Sequence, residues 1–213
     1  IVVPINNGTN LNRKKLYKIS QVEYVFSISN NDEITSTKIS AQSNNVLYKI
    51  VRSRRNPGLV LFTSGTSGEP KAAVHDFLRL LEKFKIRRKA LRTLNFLLFD
   101  HWGGLNTMFH ILSNGGVVIT TKDRSPKNIC KLIESHQIQL LPASPTFLNL
   151  LLLSGAYKNY DLSSLRIISY GTEPMPGSTL KRLKMVFPDV KLLQTYGLIE
   201  LGVMRSQSEK DDS

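Results

Sequence analysis

The chain of 213 residues carries 29 Lys+Arg against 16 Asp+Glu, a formal charge of +13 at pH 7, with 41% hydrophobic and 21% charged residues. That composition excludes a disordered chain, and apolar runs of at most four residues exclude a membrane-spanning helix, which needs about 20. The excess positive charge implies an anionic partner: nucleic acid, a membrane surface, a nucleotide or another acidic ligand.

The opening Ile-Val-Val-Pro-Ile has no Met, no basic flank and no long apolar stretch, so no secretory signal is expected, and the chain reads as starting inside a longer protein. Residues 1–56 are rich in Asn, Ser and Lys, with β-like runs at 23–28 and 46–51 around a polar loop over 29–45. From Leu59 short apolar runs alternate with stretches of helical period. Strands are predicted over 59–62, 95–99, 116–120, 139–141, 165–170 and 190–195. Helices are predicted over 77–91, 105–113, 127–136, 146–154 and 177–187. Ser125-Pro126 supplies an N-cap and a first-turn proline, whereas Asn114-Gly115-Gly116, Gly155 and Pro188 supply stops. The predicted fold is α/β, a mainly parallel sheet flanked by helices, with a core over 57–205 and a polar tail over 206–213. A lone Cys130 forms neither an internal disulfide nor a zinc site, so a reducing cytoplasm is the expected setting.

Residues 59–71 are the most informative. A buried strand runs into Thr63-Ser64-Gly65-Thr66-Ser67-Gly68-Glu69-Pro70-Lys71: hydroxyls, glycines whose missing Cβ lets backbone N–H groups close on an anion, then a cation. This suits a phosphate cradle. Pro70 stands where a Walker loop counted from Gly65 needs glycine, and a Gly-x-Gly-x-x-Gly turn is not present either. Taken alone, the segment reads equally as a polar surface turn.

Three further segments accompany it: Phe99-Asp100-His101-Trp102-Gly103-Gly104-Leu105, Ser169-Tyr170-Gly171-Thr172-Glu173-Pro174-Met175 and Gln194-Thr195-Tyr196-Gly197-Leu198-Ile199-Glu200. In this order and spacing the set resembles the adenylate-forming superfamily of acyl- and aryl-CoA synthetases, luciferases and peptide-synthetase adenylation domains. The resemblance covers about 59–205 and implies that the chain is the central part of that family's large N-terminal domain. It implies that Thr63, Ser64, Gly65, Thr66, Ser67, Gly68 and Lys71 hold the β- and γ-phosphates of ATP. Gly171, Thr172, Glu173 and Pro174 would then lie along adenine, with Gln194, Thr195 and Gly197 beside it and Tyr196 stacked on the ring. Glu200 would bind Mg2+ as a carboxylate ligand, and Lys71 and Glu200 would act in catalysis. His101, Trp102 and Gly197 would border a carboxylic-acid substrate. The implied reaction is attack of a carboxylate on the α-phosphorus of ATP, pyrophosphate leaving, followed by acyl transfer to a thiol such as coenzyme A.

Two departures qualify that expectation. Ile199 stands where the family has Thr or Ser, so a hydroxyl contact to the α-phosphate is lost. After Glu200 only 13 residues follow, without the family's ribose-binding aspartate, hinge or mobile C-terminal domain with its catalytic lysine. The expectation is a partner in that C-terminal domain and a fragment inactive alone. A non-catalytic nucleotide-binding or scaffolding domain is the first rival. The second is nucleic-acid binding through Lys83, Lys85, Arg87, Arg88, Lys89 and Arg92 on a helix also carrying Arg79. The absence of aromatic interleaving or a zinc pattern favours a solvated helix face instead.

Overall fold

In the computed structural model, which describes residues 1–6, 13–39, 42–63, 69–198 and 202–204, the chain divides into two units, 1–83 and 84–213. The first unit starts with helix α1 (Arg13–Ile19), anchored by buried Leu16, and a hairpin of β1 (Tyr24–Ile28) with β2 (Ile34–Lys38). β2 lies inside the segment expected to be a polar loop. The Ser29 hydroxyl makes the reversal by accepting the N–H groups of Asn31 and Glu33 at 3.2 and 3.1 Å, and Asp32 turns the chain at φ 60°.

The expected strand over 46–51 is instead helix α2 (Val46–Ser53). Asn45 caps it by accepting the Leu47 N–H at 2.8 Å, and Tyr48 and Val51, one turn apart, are its buried residues. Val46, Leu47 and Ile50 stay exposed, so the aliphatic run belongs to a one-sided helix rather than a pleat. The Tyr48 hydroxyl donates to the Ser20 carbonyl at 2.8 Å and ties α2 to the end of α1.

Strand β3 (Gly58–Thr63) pairs antiparallel with β4 (Lys71–Asp76), in register from Gly58 opposite Asp76 to Thr63 opposite Lys71. β4 was not expected, because Lys-Ala-Ala-Val-His-Asp lacks a continuous apolar run. Val2 bridges β3 from the other side, donating to the Gly58 carbonyl and accepting from the Val60 N–H at 2.8 and 2.9 Å. The sequence boundary at 56/57 falls at the base of this hairpin, within the first unit.

Helix α3 (Phe77–Leu81) passes into a tighter turn at Glu82–Lys85 and ends there, so the predicted helix over 77–91 is much shorter. The cations at 83–89 repel one another along a helix. The Arg88 N–H donates to Asn114 Oδ1 at 2.5 Å instead of to a helical carbonyl.

The second unit holds β5 (Arg92–Leu94), β6 (Val117–Ile119), β7 (Leu140–Ala143), β8 (Ile167–Tyr170) and β9 (Lys191–Gln194). They form one parallel five-stranded sheet in the order β6-β5-β7-β8-β9, the predicted architecture. Helices α4 (Trp102–Ser113), α5 (Pro126–His136), α6 (Pro145–Ser154) and α7 (Gly177–Val186) alternate with the strands. Ser125 caps α5 as expected, accepting the Asn128 N–H at 3.3 Å. Gly155 ends α6 at φ 64°. Leu94, Ile129, Ile133, Leu141, Leu148, Ile168 and Leu183 are fully buried between sheet and helices. Truncating one of these leucines or isoleucines to alanine costs about 2–5 kcal/mol.

The predicted strand over 95–99 lies three residues too late. β5 stops at Leu94, the Asn95 N–H reaches the Ile119 carbonyl at 2.8 Å, and the Asn95 amide donates to the Gly104 carbonyl at 3.0 Å. The chain then passes so close under α4 that a Cβ on Gly104 would lie 2.2 Å from the Leu98 carbonyl oxygen. After β9 the chain forms a small antiparallel hairpin, β10 (Tyr196–Leu198) with β11 (Gly202–Met204).

Candidate functional site

The residues singled out from sequence fall in both units. In the first, the β3–β4 register sets Thr63 opposite Lys71, so both ends of the expected phosphate segment are held side by side by a paired ladder. Lys71 is exposed and Pro70 buried. Glu69 forms an ion pair with Lys15, which joins α1 to the start of β4. Ser64, Gly65, Thr66, Ser67 and Gly68 lie outside the described residues.

The other end of this hairpin is clamped. Asp76, with a side chain 7% exposed, accepts from Asn56 Nδ2 at 2.9 and 3.0 Å and from Arg54 Nη1 at 3.4 Å, and lies 3.8 Å from Arg79 Nε. The Asn56 hydrogen bond, followed by the Arg79 backbone N–H and the Arg54 guanidinium, holds its carboxyl below the usual carboxylate range against the opposing effect of burial. Sequence reasoning passed over Asp76 and Asn56. Their 20-residue separation closes only when β3 and β4 pair.

In the second unit, the remaining motifs emerge beyond the C-terminal ends of parallel strands, where open α/β sheets form their crevices. Gly171, Thr172, Glu173 and Pro174 follow β8, whereas Gln194 ends β9 and Thr195, Tyr196 and Gly197 follow it. The structure brings these two groups together. Thr195 donates twice to the Tyr170 carbonyl, from its N–H at 2.7 Å and its hydroxyl at 3.1 Å. A Cβ on Gly171 would lie 2.3 Å from the Thr195 carbonyl oxygen, so glycine is required by close backbone approach. Thr172 turns at φ 70° with its hydroxyl 2.5 Å from the Gly171 carbonyl. Tyr196 is 54% exposed. An exposed aromatic ring beyond the strand ends is available to stack on a flat ligand.

Glu173 is engaged with the protein. Its Oε2 accepts the Thr146 N–H at 3.1 Å and the Thr146 hydroxyl at 2.5 Å, placing a carboxylate on the first turn of α6, where the helix dipole favours it. Ser144 caps the same helix by accepting the Phe147 N–H at 3.2 Å, with Pro145 following. Thr146 and Ser144 were not singled out from sequence, although Ser144-Pro145 repeats the Ser125-Pro126 signal.

His101 and Trp102 separate by burial. His101 is exposed at the extended N-cap position of α4, whereas Trp102 is 3% exposed and part of the domain interior. Asn95, buried and bound to Gly104, props this turn from below. Ile199 and Glu200 lie outside the described residues. Among the described residues no group of three or more His, Cys, Asp or Glu side chains comes together to hold a metal ion, and no helix is long and apolar enough to cross a membrane.

A family model described as "AMP-binding enzyme" matches residues 6–213 and so reaches back into the segment where the motifs carry no resemblance. The chain is 27% identical over 162 residues to 4-coumarate--CoA ligase-like 9 of Arabidopsis thaliana, covering 72% of this chain and 29% of that protein. It is 30% identical over 156 residues to acyl-CoA synthetase 7 of Caenorhabditis elegans, covering 66% and 29%. The luciferase-like enzyme of the nonluminescent Zophobas morio mealworm superposes with a TM-score of 0.61 at 27% identity, over 68% of this chain and 35% of that one. The chain thus spans about 29% of the length of these two curated relatives.

Proposed function

Since the chain belongs to the AMP-binding enzyme family, we propose that the whole protein is an ATP-dependent, AMP-forming carboxylate ligase that passes its acyl group to a thiol such as coenzyme A. The observation that carries this reading is the joining of the segments that follow β8 and β9, with Gly171 packed against Thr195 and Tyr196 exposed beside them. In this reading Tyr196 stacks on adenine, and Thr172, Glu173 and Pro174 border it. Glu173 contributes by shape and position, because its carboxylate is committed to Thr146. Thr63 and Lys71 hold the phosphates together with Ser64, Gly65, Thr66, Ser67 and Gly68. Lys71 offsets the repulsion between two anions, and His101 with Gly197 borders the acid. Magnesium enters the proposal through Glu200 and would screen charge on the departing pyrophosphate.

The acid itself, fatty or aromatic, is set by pocket depth. A cytoplasmic setting is part of the same proposal. So is inactivity of the 213-residue chain as a ligase by itself, given that it spans about 29% of its relatives' length. ATP–pyrophosphate exchange by the whole protein against short, long, branched and aromatic carboxylic acids tests the reading. Exchange stimulated by one acid class supports it. ATP binding without exchange for any acid favours the second reading, a non-catalytic nucleotide-binding domain, which Ile199 at the usual hydroxyl position supports.

A further inference from the structure

The basic run over 83–92 lies outside the segments proposed to hold nucleotide. Past Lys85 it is no helix face: residues 87–91 approach β5 in irregular conformation, with Arg87, Arg88 and Lys89 exposed. The Arg88 N–H to Asn114 Oδ1 bond at 2.5 Å ties this segment to the end of α4. Beside it the Val117 N–H donates to the Leu91 carbonyl at 3.0 Å, and a Cβ on Gly116 would lie 2.5 Å from that same oxygen. Three apolar side chains are left open at this corner: Ile86 at 49%, Leu112 at 55% and Val117 at 43% exposure.

The corner continues along the N-terminal edge of the sheet. A row of backbone bonds runs from Arg92 through Gln139 and Arg166 to Lys191 at 2.8, 2.9 and 2.9 Å, and it sets exposed Arg166 and Lys191 at the starts of β8 and β9. None of Arg87, Arg88, Lys89, Arg166 and Lys191 forms an ion pair among the described residues.

We propose that this edge docks on an anionic phospholipid surface. Cations without paired acids are attracted to negative headgroups, and apolar side chains interleaved with them gain by entering the headgroup–acyl boundary. A nucleic acid would reward the charges but not Ile86, Leu112 and Val117, and the nearest ring, Phe84, is turned onto Phe109 with centroids 6.2 Å apart rather than offered for base stacking. The parallel strands put this edge at the end of the sheet opposite the Gly171–Thr195 contact, so docking leaves that end of the sheet uncovered. The proposal does not depend on the nucleotide reading.

The test is cosedimentation of the whole protein with vesicles of phosphatidylcholine alone and of phosphatidylcholine with phosphatidylserine. Binding is expected to require phosphatidylserine. Neutralising Arg87→Gln, Arg88→Gln and Lys89→Gln together should lower partitioning on the order of 100-fold, about fivefold per charge. Ile86→Ser with Leu112→Ser should weaken it with the charge intact. A charge-matched control, Lys127→Gln, Lys131→Gln and Lys181→Gln, should lose far less. Equal binding to phosphatidylcholine alone, an equal loss in the control, or preferential capture of duplex DNA or RNA over the vesicles would overturn the proposal. Thermal melts matching the parent confirm that each variant is folded.

Discussion

Gly171 and Thr195 meet backbone to backbone: a Cβ on Gly171 would stand 2.3 Å from the Thr195 carbonyl oxygen and 2.7 Å from its hydroxyl. Because the obstacle is main chain, it cannot be relieved by a rotamer change. Gly171→Ala is expected to push the ends of β8 and β9 apart, costing about 1–3 kcal/mol. It should also raise the KM for ATP in the whole protein at temperatures well below its melting transition, where loss of folded protein does not account for the change. A melt paired with ATP-dependent exchange kinetics checks both; an unchanged melting temperature would show that the strand ends adapt freely.

Glu173 spans 27 residues to reach Thr146 on the first turn of α6. Glu173→Ala should destabilise the second unit by about 1 kcal/mol, whereas Glu173→Gln, which keeps an oxygen acceptor, should lose less. Urea unfolding without nucleotide separates this helix-capping role from any contact with ATP.

Asp76 carries a pH prediction. Its carboxyl is held below the ordinary value chiefly by Asn56, so the stabilisation is complete above the unfolded value of about 3.9 and is lost as pH falls through the lower folded value. Asp76→Asn should therefore be less stable than the parent at neutral pH, with the two unfolding midpoints converging in acid. Parallel midpoints across the acid range would contradict the assignment.

Cys130 is 0% exposed, and burial pushes its thiol up to about 11. It should resist iodoacetamide at about pH 8 in the native protein, where too little thiolate and too little access coincide. Labelling should appear only with unfolding. Rapid native labelling would show that α5 opens readily.

Ile199→Thr tests the departure at the reacting phosphorus. Restoring a hydroxyl is expected to raise pyrophosphate exchange by the whole protein on the order of tenfold, with ATP affinity little changed. No gain would count against a direct role for that position.

The sequence alone was sufficient for features written in local chemistry. Ser125-Pro126 and Gly155 delimit helices because caps and left-handed turns depend on a few adjacent residues, and the alternation after Leu59 specified a parallel α/β sheet. The spacing of Thr63–Lys71, Gly171–Pro174 and Gln194–Gly197 carried the family resemblance for the same reason. Tertiary contacts decided the rest. Val46–Ser53 became a helix because Tyr48 had Ser20 to bond and a core to enter. The run over 87–91 left the helix because Arg88 found Asn114. Glu173 turned to Thr146, Trp102 went inside while His101 stayed out, and Asp76 closed on Asn56. Each of these depends on a partner 20 or more residues away or on burial set by the assembled sheet, and neither is encoded in local periodicity.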